Sequence, residues 1–108
     1  MTELLHLTER TRWDEAGVTG AYTGSTRGKS LADVGFIHCS YASQLRGVAE
    51  ALYGERPAPG TLVVLVIDPD RLDVPVRDEE GEPGGELFPH IYGPLPVAAV
   101  TEVREWPA

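Results

Sequence analysis

The stretch TLVVLVI, residues 61–67, constrains the fold more than any other. Six of its seven residues are aliphatic. A strand turns successive side chains to opposite faces, so an unbroken aliphatic run fits a central strand covered on both sides. The segments around it are read as the elements that cover it.

ELLHL alternates after Glu3: Leu5 and Leu7 face one way, Leu4, His6 and Thr8 the other. That pattern predicts a strand. TRWDEAG predicts a short helix, with Thr11 as N-cap and Gly17 as its stop. GVTGAYTGSTRGK, rich in Gly and Thr, reads as loop with a brief extended piece at residues 21–23. SLADV predicts one helical turn opened by Ser30. GFIHCS predicts a second strand, with Ile37 and Cys39 on one face and Phe36, His38 and Ser40 on the other. Ser40 is a natural N-cap for the following helix. Leu45, Val48, Ala49, Leu52 and Tyr53 give that helix one apolar stripe, and GERPAPG ends it. DPDRL is a turn. DVPVR is an edge strand, because Pro75 cannot donate to a ladder. DEEGEPGG reads as a charged loop, and AAVTEVREW as a closing strand. Together these give one compact α+β domain over residues 1–108, with about five or six short strands in a split or mixed sheet and two main helices.

The 108 residues suit one domain, and no apolar run reaches the ~18 residues of a membrane span. The N-terminus lacks the pattern of a secretory signal, and the lone Cys39 fits a reducing cytoplasm. Net charge is −8, distributed as −1 over residues 1–50 and −7 over residues 51–108. This argues against a nucleic-acid partner and directs any anionic ligand to the N-terminal half, where Arg10, Arg12, Arg27, Lys29 and Arg46 lie.

Chemistry-bearing residues cluster in three places. LHLT and FIHCS share a pattern of apolar residue, His, apolar residue and hydroxyl, each followed by a helix. Strand geometry puts His6 with Thr8, and His38 with Ser40, on one face, two positions apart and opposite the aliphatic side. Two such strand ends side by side form a groove of imidazoles, hydroxyls and helix-start amides that favours an anion. The plainer alternative is that each histidine satisfies a carbonyl and each hydroxyl caps a helix. The third place is GGELFPHIYGPLP, residues 84–96, with Glu86, His90 and Tyr92. If extended, it puts Phe88, His90 and Tyr92 on one face, supplying a stacking surface and a group that titrates near neutrality. The alternative there is an aromatic plug at the sheet end. Other chemistries fit worse. No two histidines are three to five residues apart, so no zinc motif is expected. Cys39 faces away from His38, and Ser40 lacks a nucleophile elbow.

LLHLTERTRWDEA, SLADVGFIHCS, LVVLVIDPDRL and GGELFPHIYGPLPVAAV resemble, in this order, the small bacterial proteins of the DUF952 family, over about residues 4–104. That family is grouped with the ADP-ribosyltransferase-like fold. The resemblance implies NAD or ADP-ribose as a small-molecule nucleotide ligand and, in an enzyme, glycosyl transfer. It implies that His6 holds the nicotinamide ribose, and that Phe36, His38 and Ser40 lie beside the nicotinamide. Glu86 would be the catalytic carboxylate, with His90 its competitor. Thr8, Tyr92 and Arg27 are further candidate ligand contacts. His38 departs from the Tyr or Ser that many transferases carry. Two other readings stand beside this one: a non-catalytic nucleotide- or metabolite-binding module, and a metal-dependent hydrolase using His6, His38 and His90.

Overall fold

A computed structural model describes residues 2–54 and 57–107. Strand β4 (Leu62–Ile67) is central in an antiparallel sheet of order β1-β4-β8, between β1 (Leu4–Glu9) and β8 (Val100–Trp106). All six of its residues are buried. Val63, Leu65 and Ile67 join a core with Leu4, Tyr22, Ile37, Cys39 and Ile91. Leu62, Val64 and Val66 join a second core with Leu5, Leu7, Leu45 and Ala49. The expectation of a strand covered on both faces is met.

Helix α3 (Leu45–Tyr53) covers the second core with Leu45, Ala49 and Tyr53 of the predicted stripe, while Val48 and Leu52 are half-buried. A second antiparallel sheet covers the first. Its order is β3-β6-β5, from β3 (Ile37–His38), β6 (Leu87–Ile91) and β5 (Val76–Glu80). A small third sheet pairs β2 (Ala21–Tyr22) with β7 (Leu95–Pro96). The two larger sheets meet where Leu5 and Ser40 exchange backbone hydrogen bonds of 2.9 and 2.7 Å. The result is a single α+β domain, as expected, with more strands than the sequence suggested.

Several local expectations change. Helix α1 spans Arg10–Thr19, runs through Gly17, and ends at Gly20, whose φ of 89° suits a left-handed cap. Its N-cap is Glu9, not Thr11, and no side chain caps it. Ser40 does not cap α3; it is consumed in the bridge to Leu5, and Gln44 stands at the helix start. Ser30 caps the short α2 (Leu31–Val34) through a reciprocal capping box with Asp33, as its position predicted. The charged segment 78–80, read as loop, is the second half of edge strand β5. Within GERPAPG, Glu55 and Arg56 lie outside the described residues; the helix has already ended at Tyr53.

Leu65 is fully buried and central to the first core. Leu65→Ala should lower unfolding free energy by about 2–5 kcal/mol, the usual range for such a truncation. A urea melt with unchanged slope and a lower midpoint checks this.

Candidate functional site

Strand parity on β1 is as the sequence predicted: Leu5 and Leu7 point to α3, and Leu4, His6 and Thr8 point the other way. The second face does not open to solvent, however. Tyr22 and the β3-β6-β5 sheet close over it, so His6 is 2% exposed and Thr8 1%. The groove expected at His6 is therefore filled by protein.

His6 is held at both ring nitrogens. Nδ1 lies 2.7 Å from the His38 carbonyl oxygen, and Nε2 lies 2.7 Å from the Tyr22 hydroxyl. A carbonyl only accepts, so Nδ1 carries the proton. Burial, the largest influence, pulls the His6 pKa down to about 4 and leaves the ring neutral at pH 7. Nε2 therefore accepts from Tyr22, whose oxygen in turn lies 2.7 Å from Thr8 Oγ1. The Thr8 hydroxyl then supplies the second proton of the chain. Burial also raises the Tyr22 pKa to about 12, so the phenol keeps its proton.

The remaining candidates gather on one face of the β3-β6-β5 sheet. His38 pairs in register with His90, and His90 with Arg77. Period two then brings Phe36, Phe88, Tyr92 and Glu79 to the same side. Phe36 stacks on His90 with ring centroids 4.0 Å apart. The His38 ring lies 5.2 Å from that of His90 and 5.0 Å from that of Phe88. Arg77 caps the Tyr92 ring at 5.3 Å. Glu79 is the carboxylate of this face. Its Oε1 accepts from the Tyr92 hydroxyl and, at 3.0 Å, from His90 Nδ1. Those two bonds, Tyr92 first, hold its pKa below the ordinary carboxylate value, and Glu79 raises the Tyr92 pKa in return. Burial and the neighbouring His90 lower the His38 pKa to about 4. His90 is 3% exposed, and its Nε2 is a buried polar atom without a hydrogen-bond partner.

The structure thus brings together Phe36, His38, His90 and Tyr92, and separates the rest. His6 and Thr8 lie in the interior behind them, and His6 is joined to the face through the His38 carbonyl. Ser40 is buried in the sheet junction. Glu86 is exposed in the turn between β5 and β6, where its carbonyl receives Gly81 N at 3.2 Å. Arg27 is exposed, donates to the Leu52 carbonyl at 2.9 Å and lies 5.0 Å from the Tyr53 ring centroid. Cys39 faces the core, where burial raises its pKa far above the ordinary thiol value. Among the described residues no three His, Cys, Asp or Glu side chains gather as a metal site, and no helix is long and apolar enough to cross a membrane. Sequence reasoning missed Glu79, Arg77 and Tyr22. Alternation continued past Pro75 would have put Arg77 and Glu79 on one face.

Fold and site together define a small α+β protein with a partly open face of aromatic rings and imidazoles backed by a buried histidine. The chain belongs to the DUF952 family, described as "Protein of unknown function (DUF952)", whose model matches residues 7–103. It is similar to CC0527 from Caulobacter crescentus, a structural-genomics target. Against the crystal structure of CC0527 the TM-score is 0.75 at 33% identity, covering 96% of this chain and 85% of that one. Against its solution NMR structure the TM-score is 0.76 at 31% identity, covering 97% and 84%. No curated protein matches.

The buried imidazole sets a pH dependence. Folded His6 takes a proton only near pH 4, whereas the unfolded ring takes one near 6.5. Between those values the unfolded chain binds more protons, so stability is complete above about pH 6.5 and falls as pH drops towards 4. His6 alone contributes about 3 kcal/mol to that loss. Urea midpoints measured from pH 7.5 to 4.5 should fall steadily, with His38, lowered for the same first reason, adding to the fall; a constant midpoint would mean that both rings titrate as solvated ones.

Proposed function

We propose that the β3-β6-β5 face is a nucleotide site of the ADP-ribosyl-transfer type, with NAD or ADP-ribose as its ligand. The observation that carries the reading is Glu79, a partly exposed carboxylate kept ionised by Tyr92 and His90 beside a wall of aromatic rings. Phe36, Phe88 and Tyr92 offer stacking surfaces for a nicotinamide or adenine ring. Cleaving the N-glycosidic bond of NAD sends the electron pair to the departing nicotinamide and leaves positive charge on the ribose, whose anomeric carbon then bonds to the oxygen of water or of an acceptor hydroxyl, with the proton lost to solvent. A fixed carboxylate at that point stabilises the charge as it develops. His90 and Tyr92 position Glu79 through the two bonds that they donate to its carboxylate.

This assigns to Glu79 the role that the family resemblance gave to Glu86, and leaves His6 as a support behind the site. A hydrolase built on three histidine metal ligands is less well supported, because both nitrogens of His6 are already bonded to protein. The sealed thiol of Cys39 and the absence of a basic footprint fit a cytoplasmic protein whose partner is a small molecule.

Titration of the full chain with NAD and ADP-ribose, read by melting temperature, tests binding, since a ligand of the native state raises it by mass action. Both should raise it, and NAD should release nicotinamide. Glu79→Gln should cut release at least a hundredfold, on the order of the loss of one preorganised charge contact, with NAD affinity little changed. Shifts without nicotinamide release would make the face a binding module. No shift with either ligand at millimolar concentration would sink the reading.

A further inference from the structure

We propose that the cavity between α1 and β2 is a separate binding site for a small zwitterion, an α-amino acid. The cavity measures about 260 Å³ and lies away from the imidazole face. That is just below the ~300–1,000 Å³ of drug-sized ligand pockets, so its occupant is small.

Two opposite charges line it. Arg12 and Glu15 both come from α1 and stand three positions apart, hence on one side of the helix. Among the described residues neither forms an ion pair, with each other or with any third group. Arg12 Nη1 donates to the Lys29 carbonyl at 2.8 Å and the guanidinium also lies against the Tyr22 hydroxyl, which fixes it and leaves its remaining N–H donors for a ligand. Tyr22 lines the cavity with its hydroxyl committed to His6 and Thr8. The space beside these groups depends on Gly24. A Cβ there would clash with the Tyr22 hydroxyl and stand 3.1 Å from Arg12 Nη1. The backbone thus approaches the two side chains as only glycine permits.

Charge complementarity selects the ligand. A guanidinium pairs with a carboxylate through two parallel hydrogen bonds. A plain anion would satisfy Arg12 but meet Glu15, and a plain cation the reverse. A molecule that carries a carboxylate and an ammonium on one small carbon satisfies both. Thr23, also in the lining, adds a hydroxyl that suits a polar or short side chain, while the Ser30 hydroxyl is held by Asp33. This inference does not rest on nucleotide chemistry at the imidazole face.

Calorimetric titration of the full chain with L-serine tests it, with acetate and ethylamine as probes carrying one charge each. L-serine should bind, and each single-charge probe should bind at least tenfold more weakly. Glu15→Gln, an exposed change that leaves the helix intact, should weaken serine at least tenfold without weakening acetate. Arg12→Lys, which keeps the charge but loses the paired donors, should also weaken serine. Glu79→Gln should leave serine binding unchanged. Equal affinity for serine and acetate, an undiminished affinity in Glu15→Gln, loss of binding in Glu79→Gln, or no heat with serine at millimolar concentration would each overturn the proposal.

Discussion

The structure depends on one neutral imidazole placed where three elements meet. His6 sits on β1, its Nε2 is bonded to Tyr22 on β2, and its Nδ1 is bonded to the backbone of β3. Burying a polar ring is costly unless its groups are paired, and here both nitrogens are. The arrangement works in one protonation state. Nδ1 must donate to a carbonyl, so Nε2 must accept, so Tyr22 must keep its proton. Burial enforces each step by holding the imidazole neutral and the phenol protonated. Replacing His6 with an apolar residue would leave the Tyr22 hydroxyl and the His38 carbonyl without these bonds inside the core. The histidine therefore occupies a core position because it aligns the sheets, which an aliphatic side chain there could not do.

Legibility in the sequence follows the range of the interaction. The β4 run, the α3 stripe and the Ser30 capping box are local patterns, and their physics is complete within a few residues. Side-chain parity on β1, β3 and β6 was equally legible, because period two needs no partner. What parity lacks is knowledge of what covers each face. Thr8 and His6 look like the solvent side of a half-buried strand, yet Tyr22 and a second sheet close over them. Ser40 has the chemistry of a helix cap, but its backbone is taken by Leu5, thirty-five positions away in the chain. Such competition is settled by tertiary contacts that no window of sequence contains.

Glu79 shows the same limit from the other side. DEEGEPGG is dense in charge and glycine, the composition of a solvated loop. Its first three residues nevertheless pair with β6 at the edge of the sheet. An edge strand tolerates charge, since one side of its ladder faces water. That tolerance lets a carboxylate reach an aromatic face that the central strands could not have supplied. Glu86, closer in sequence to the aromatics, is carried away from them by the turn.

His38 joins the two polar centres. Its carbonyl accepts from the buried His6, while its ring stands on the partly open face beside His90 and Phe88. The backbone bond fixes where the strand lies, and hence where the ring starts from; the ring itself is half-buried. On the other side, His90 is fixed by Glu79 and stacked against Phe36. The face thus combines an imidazole held by a carboxylate with one that stands among aromatic rings. Both are backed by a core whose geometry is set by hydrogen bonds and not by packing alone. Glu79 keeps its place at the sheet edge because the groups that bond it are themselves held, His90 by stacking on Phe36 and Tyr92 by the Arg77 guanidinium over its ring.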